Sequence, residues 1–143
     1  MSDYEIILKI VLGTFLGGLV GLERELHGRV AGLRTHILVC VGSTLIMLTS
    51  THIFDVYRGI AAVDPSRIAA QVVSGIGFLG AGTILRFRAS VRGLTTAASL
   101  WTVAAVGLAV GSGFYNGAIL TTAIVLISLL FFSKLETLFI RRD

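Results

Sequence analysis

The chain is 143 residues long, 55% hydrophobic and only 14% charged, with a mean hydropathy of +0.90. A water-soluble domain carries about 25% charged residues, so this chain lacks the polar surface to coat itself and reads as an integral membrane protein. Cys40 is its one cysteine, which excludes an internal disulfide and a cysteine-built zinc site. The net charge of +4 does not gather into a lysine-rich face, so nucleic acid is not an expected partner; the basic residues stand between apolar runs, where they set topology.

Asp3 and Glu5 occupy the place of a signal peptide's cationic start, and no small-residue cleavage site follows. The first apolar run is therefore expected to stay in the membrane. Residues 6–22, 35–54, 68–85, 94–111 and 117–133 are each long enough, against roughly 17 to 25 residues, to cross a ~30 Å hydrocarbon layer. The predicted fold is all-α, a single-domain bundle of five transmembrane helices embedded in the lipid bilayer. Nine of the twelve Lys and Arg residues fall on one side of these spans: Arg24, Arg29, Arg34, Arg86, Arg88, Arg92, Lys134, Arg141 and Arg142. The positive-inside rule then places the N-terminus outside and the C-terminus in the cytoplasm.

The spans differ in character. Gly13, Gly17 and Gly21 form a GxxxGxxxG ridge on span one, where another helix can approach closely; a homodimer is the expected use. Span two places His36, Cys40, Ser43, Met47 and Ser50 on one face. Asp64 and Pro65 read as an N-cap and first helical residue, so span three should start near Ser66. That span carries Gly75, Gly77, Gly80 and Gly82, enough to kink or locally unwind it, beside a stripe of Arg67, Gln71 and Ser74. Thr95 and Thr96 offer hydroxyl caps for span four, which continues with Ser99, Trp101 and Thr102. Span five is poor in polar groups and is the expected lipid-facing helix.

Polar residues at the spans are the functional candidates, because a charge at the bilayer centre costs at least ~2.5–3.5 kcal/mol. One group, Glu23, Arg24, Glu25, His27, Arg29, Arg34 and His36, lies at the cytoplasmic ends of spans one and two. Helical spacing pairs Glu23 with His27 and Glu25 with Arg29. This group reads either as an interfacial helix end held by topology charges or as an ion gate. A second group, Asp64, Arg67 and Gln71, lies at the outer start of span three. Gln71 sits about one turn inside and should find a partner across the bundle, from span two or from Thr95, Ser99 and Thr102. These side chains read singly as interhelical contacts and together as a polar seam.

Catalysis has little support. No acidic residue falls in mid-span, no HExxH or Walker A motif is present, and His36 with Cys40 at i,i+4 is the one conceivable nucleophile pair. A lone cysteine in an apolar run is more often a small buried hydrophobe. No cofactor is expected, and no coordination pattern identifies a metal.

Four stretches together carry a resemblance: GLERE at 21–25, AGLRTH at 31–36, DPSRIAAQVVSGIGFLGAG at 64–82 and VRGLTTAASLW at 91–101. They are similar to the signature of the MgtC/SapB family of bacterial inner-membrane proteins. The resemblance implies a five-helix membrane domain with a cytoplasmic C-terminus. It also implies a link to growth in low magnesium, without establishing that magnesium is carried. The motif positions here are Glu23, Arg24, Arg34, Thr35, His36, Asp64, Arg67, Gln71, the glycines of 75–82, Arg92, Thr95, Thr96, Ser99 and Trp101. Longer members add a cytoplasmic ACT-like domain, which is not expected in the ten residues after span five. The expected function is non-enzymatic: ion homeostasis, by a slow ion pathway through the seam or by regulation of another inner-membrane transport complex. The alternative is an assembly module that joins membrane partners through glycine faces.

Overall fold

The computed structural model describes residues 1–87 and 90–139, with side chains other than those of 87 and 132–139. Five helices and one short hairpin follow in order: α1 Asp3–Leu26, α2 Leu33–Tyr57, α3 Ser66–Gly82, β1 Leu85–Phe87, β2 Ser90–Arg92, α4 Leu94–Ser112 and α5 Tyr115–Phe139. By length and composition α1, α2 and α4 can each cross a membrane. Helix α3, at 17 residues, and the apolar stretch Tyr115–Phe131 of α5 are shorter.

Local chemistry sets the boundaries. Ser2 and Glu5 form a reciprocal capping box at α1, with Glu5 N–H donating to Ser2 Oγ at 3.3 Å and Ser2 N–H donating to Glu5 Oε2 at 3.0 Å. After α1 the chain turns through Gly28 at φ +61°, a left-handed conformation that a Cβ disfavours. The N-cap of α2 is Gly32, which has no capping side chain of its own. Instead Glu25 reaches across from α1, its Oε2 accepting the Leu33 N–H at 2.8 Å. This replaces the expected Glu25–Arg29 pair, and no such ion pair occurs among the described residues.

Four further expectations are corrected. The third helix is continuous despite its glycines, but it ends at Gly82 with Thr83 as C-cap, so 83–85 are not part of it. Leu85, expected in span three, and the connection that follows it instead pair antiparallel, Leu85 with Arg92, Arg86 with Val91 and Phe87 with Ser90. Helix α4 is not capped by Thr95 or Thr96; its N-cap is Gly93, at φ +91°, where a Cβ would run into the Thr83 carbonyl. Asp64 acts one residue earlier than predicted: Pro65 is the N-cap, and Asp64 Oδ1 accepts the Ser66 N–H at 2.8 Å.

Helices α1, α2 and α4 form the centre. Leu16 and Val20 of α1, Cys40 of α2 and Val103, Val106 and Val110 of α4 make one apolar core, joined by Ala118 of α5. A second cluster, Ala31, Ile76, Leu100 and Ala104, holds α3 against α4. Leu120, Ile124 and Ile127 of α5 are exposed, while Val125, Leu126 and Leu129 pack against the core.

Candidate functional site

The buried polar groups gather along the seam where α1 and α4 meet α2. His36, Cys40, Ser43, Thr44 and Ser50 are buried on one face of α2. Glycines bring both neighbours onto that face. A Cβ at Gly17 would lie 2.6 Å from Cys40 Cβ, one at Gly13 would lie 2.7 Å from Thr44 Oγ1, and one at Gly21 would lie 2.8 Å from Leu33 Cα. From the other side Gly107 meets the Cys40 carbonyl, and a Cβ at Gly111 would come within 2.6 Å of Met47 Cβ. The GxxxGxxxG ridge of α1 is thus occupied inside the chain by α2, not left free for a second copy. The matching pair Gly107 and Gly111 carries the same GxxxG spacing in the sequence.

At one end of this seam lie Glu23 and Arg24, both buried, Arg24 to 2% exposure. Arg24 Nη2 donates to Glu23 Oε1 at 2.9 Å while Nε donates to Oε2, a two-pronged pair between chain neighbours. His27 Nδ1 lies 3.1 Å from Glu23 Oε1, as the helical spacing predicts, and 2.8 Å from the Glu23 carbonyl oxygen. Beside them His36, 0% exposed, is held at both ring nitrogens. Nδ1 lies 2.9 Å from the Gly32 carbonyl and Nε2 lies 3.0 Å from Ser99 Oγ on α4. Ser99 in turn contacts the Thr96 carbonyl at 2.8 Å. Farther along, the Thr44 hydroxyl is shared between the carbonyls of Cys40 (2.9 Å) and Gly107 (3.1 Å), tying α2 to α4. His36 therefore faces Ser99 and not Cys40, so the conceivable nucleophile pair is not assembled.

The candidates divide sharply. Glu23, Arg24, His36, Thr96 and Ser99 come together at the seam, whereas Arg34, Asp64, Arg67, Gln71, Arg92 and Thr95 are exposed. The stripe expected to face the seam from span three turns away from it. Gln71 makes no side-chain hydrogen bond among the described residues and, with Gly75, lines an open apolar groove of about 550 Å³ between α2 and α3. Of the span-three glycines Gly80 is buried against Ala97, but a Cβ at Gly75, Gly77 or Gly82 would meet nothing within 4 Å. Arg88, Arg141 and Arg142 of the topology count lie outside the described residues.

Two contributions were not foreseen. Lys9 donates from Nζ to the Gly111 carbonyl at 2.9 Å, placing a cation at the C-terminal end of α4 where the helix dipole favours it. Ser50 hydrogen-bonds the Pro65 carbonyl and so ties α2 to the start of α3. Outside the helices, the Ser66 backbone and hydroxyl beside Asp64 hold its exposed carboxyl below the ordinary carboxylate range. Among the described residues no group of three or more His, Cys, Asp or Glu side chains is placed to hold a metal ion.

Comparison with known proteins agrees with the motif. The chain is 44% identical over 133 residues to the putative magnesium transporter YhiD of Escherichia coli K12, covering 92% of this chain and 62% of that protein. It is 43% identical over 133 residues to the protein SapB of Bacillus subtilis, covering 90% and 57%. It is 44% identical over 126 residues to the protein MgtC of Salmonella typhimurium LT2, covering 88% and 52%. The chain thus spans between 52% and 62% of these relatives' lengths. No solved structure matches. The MgtC family model matches residues 10–138, nearly the whole chain, and the protein belongs to the MgtC family.

Proposed function

We propose that this chain is a non-enzymatic, five-span inner-membrane protein, N-terminus outside and C-terminus cytoplasmic, that serves magnesium or membrane-potential homeostasis as a regulator of another transport complex. The magnesium link follows from the name of the YhiD relative. The orientation rests on the distribution of Lys and Arg along the sequence. Helices α3 and α5 are near the lower length limit; 17 residues rise about 25 Å, which a locally thinned bilayer accommodates.

The observation that carries regulation over conduction is the closure of the seam. Glycines seat α1 and α4 directly on α2, and no buried side-chain nitrogen or oxygen among the described residues lacks a hydrogen-bond partner. A conducting path needs polar groups free to replace an ion's hydration shell. Hydrated Mg²⁺ is usually held by one or two carboxylates, and the one buried carboxylate of the cluster, Glu23, is engaged by Arg24 and His27.

The test is ion flux in proteoliposomes. Movement of Mg²⁺, K⁺ or H⁺ should equal that of protein-free vesicles, and a membrane pull-down should return a reproducible transport partner. Protein-dependent flux that His36→Leu or Glu23→Gln abolishes would establish the slow pathway instead. Absence of both flux and any ion phenotype, with partners still captured, would leave the assembly module.

A further inference from the structure

Four helix ends meet at one end of the bundle. His36 near the start of α2 bonds Ser99 near the start of α4, Gly80 near the end of α3 lies against Ala97 of α4, and Glu25 near the end of α1 caps α2. Four exposed arginines crowd this end: Arg29 and Arg34 about the α1–α2 connection, Arg86 and Arg92 in the hairpin. Among the described residues none of the four makes a salt bridge. The carboxylates described there are engaged elsewhere, Glu23 with Arg24 and His27 and Glu25 with the Leu33 N–H. The opposite end nearly balances, with Asp3, Glu5, Asp55 and Asp64 against Lys9, Arg58 and Arg67. Gly93, the N-cap of α4, brings no capping side chain, so the first amides of that helix add partial positive charge beside Arg92.

Each of these arginines stands beside an exposed aliphatic side chain. Val30, 74% exposed, follows Arg29, and Leu38, 71% exposed, lies one turn from Arg34 on the same face of α2. In the hairpin, partners across the strands share a face, so Leu85 flanks Arg92 on one side and Val91 flanks Arg86 on the other. We infer that this end of the bundle docks on anionic phospholipid of the cytoplasmic leaflet, with guanidinium groups on headgroup phosphates and aliphatic side chains among the acyl chains beneath. Assignment to the cytoplasmic leaflet rests on the proposed orientation; the lipid contact does not. Two features select lipid over an acidic protein. The hairpin carries an arginine and an aliphatic on each of its two faces, and one protein surface covers one face, whereas lipid surrounds both. The hairpin is also held at headgroup depth: two residues join it to α3, one joins it to α4, and a Cβ at Gly93 would strike the Thr83 carbonyl at its base. Three residues of strand reach about 10 Å, close to the roughly 5–8 Å of headgroup layer on each side of a bilayer. Arginine stems laid along apolar surface leave the charge at the phosphates, and each cation near an anionic leaflet adds to the attraction.

Native mass spectrometry of the full chain in mild detergent, titrated with phosphatidylglycerol or with phosphatidylcholine, tests this. Phosphatidylglycerol should bind about ten-fold more tightly or better. Arg86→Gln and Arg92→Gln should each weaken its binding about five-fold, the step expected of one cation near an anionic headgroup, and should leave phosphatidylcholine unaffected. Arg86→Lys should keep most of the preference, and Arg58→Gln and Arg67→Gln, at the opposite end, should change neither lipid. Equal affinity for the two lipids, or equal losses from substitutions at both ends, would overturn the docking surface. So would displacement of phosphatidylglycerol by millimolar inorganic phosphate, the mark of a free-anion site, or by a glutamate-rich peptide, the mark of a protein surface. The leaflet is read separately in native membranes, where Cys40 is fully buried and gives no background. Val30→Cys should react with a membrane-impermeant thiol reagent in inverted vesicles and not in right-side-out ones. The reverse would overturn the orientation, and the cytoplasmic leaflet with it, without altering what the titration decides.

Discussion

His36 and Ser99 lie 63 residues apart in sequence and 3.0 Å apart in space, Nε2 to Oγ, across the contact of α2 with α4. Their hydrogen bonds close in either protonation state of the ring. With His36 neutral, Nδ1–H donates to the Gly32 carbonyl and the Ser99 hydroxyl donates to Nε2. With His36 charged, Nε2–H donates to Ser99, whose hydroxyl turns to the Thr96 carbonyl. Ser99→Ala strands a buried ring nitrogen and should cost about 1–3 kcal/mol of thermal stability in detergent. His36→Leu with Ser99→Ala should cost less than the sum of the two single changes, because both remove the same bond. Strict additivity would show the pair to be uncoupled.

The glycines of α1 and α3 should respond oppositely to a methyl group. Gly17→Ala places a Cβ 2.6 Å from Cys40 Cβ and forces α1 off α2, at about 1–3 kcal/mol. Gly77→Ala meets open space inside a helix and should leave stability unchanged or raise it by up to about 1 kcal/mol. Circular-dichroism melts of the two variants side by side decide this, and equal losses would contradict the packing described.

Glu23 and Arg24 are a buried pair whose partners cannot be removed one at a time. Glu23→Leu leaves the Arg24 guanidinium, 2% exposed, without its carboxylate and should cost about 3–5 kcal/mol. Glu23→Leu with Arg24→Met should recover most of that loss, since a well-packed apolar replacement of a buried pair is often neutral. Expression level and melting temperature of the single and double variants report the difference.

Asp64 sets an acid-side dependence at the start of α3. Its folded-state carboxyl titrates below the ordinary value, chiefly because Ser66 hydrogen-bonds the charged form. A depressed folded pKa means that the cap contributes fully above the ordinary carboxylate value of about 3.9, and that this contribution is lost as pH falls through the folded value. An NMR or infrared titration should find the Asp64 midpoint below that of a model peptide. In Asp64→Ala the order of the first turn of α3 should no longer change over that pH range.

Membrane character, five helices and most of their starts were present in hydropathy, caps and the spacing of charges. So was the Glu23–His27 contact, because i,i+4 neighbours on a helix meet whatever surrounds them. Short-range chemistry of this kind is carried by the chain itself. The rotation of each helix about its own axis is not, because lipid rewards apolar surface on every side and so leaves no polar face to mark the outside. Gly13, Gly17 and Gly21 read equally well as an inner or an outer contact, and packing turned them onto α2. Gln71 read as a member of the seam, and packing turned it away, since Ile76 and Gly80 on the opposite face of α3 fit α4. The meeting of His36 with Ser99 required the whole bundle to form, because nothing nearer than 63 residues in the chain brings them together.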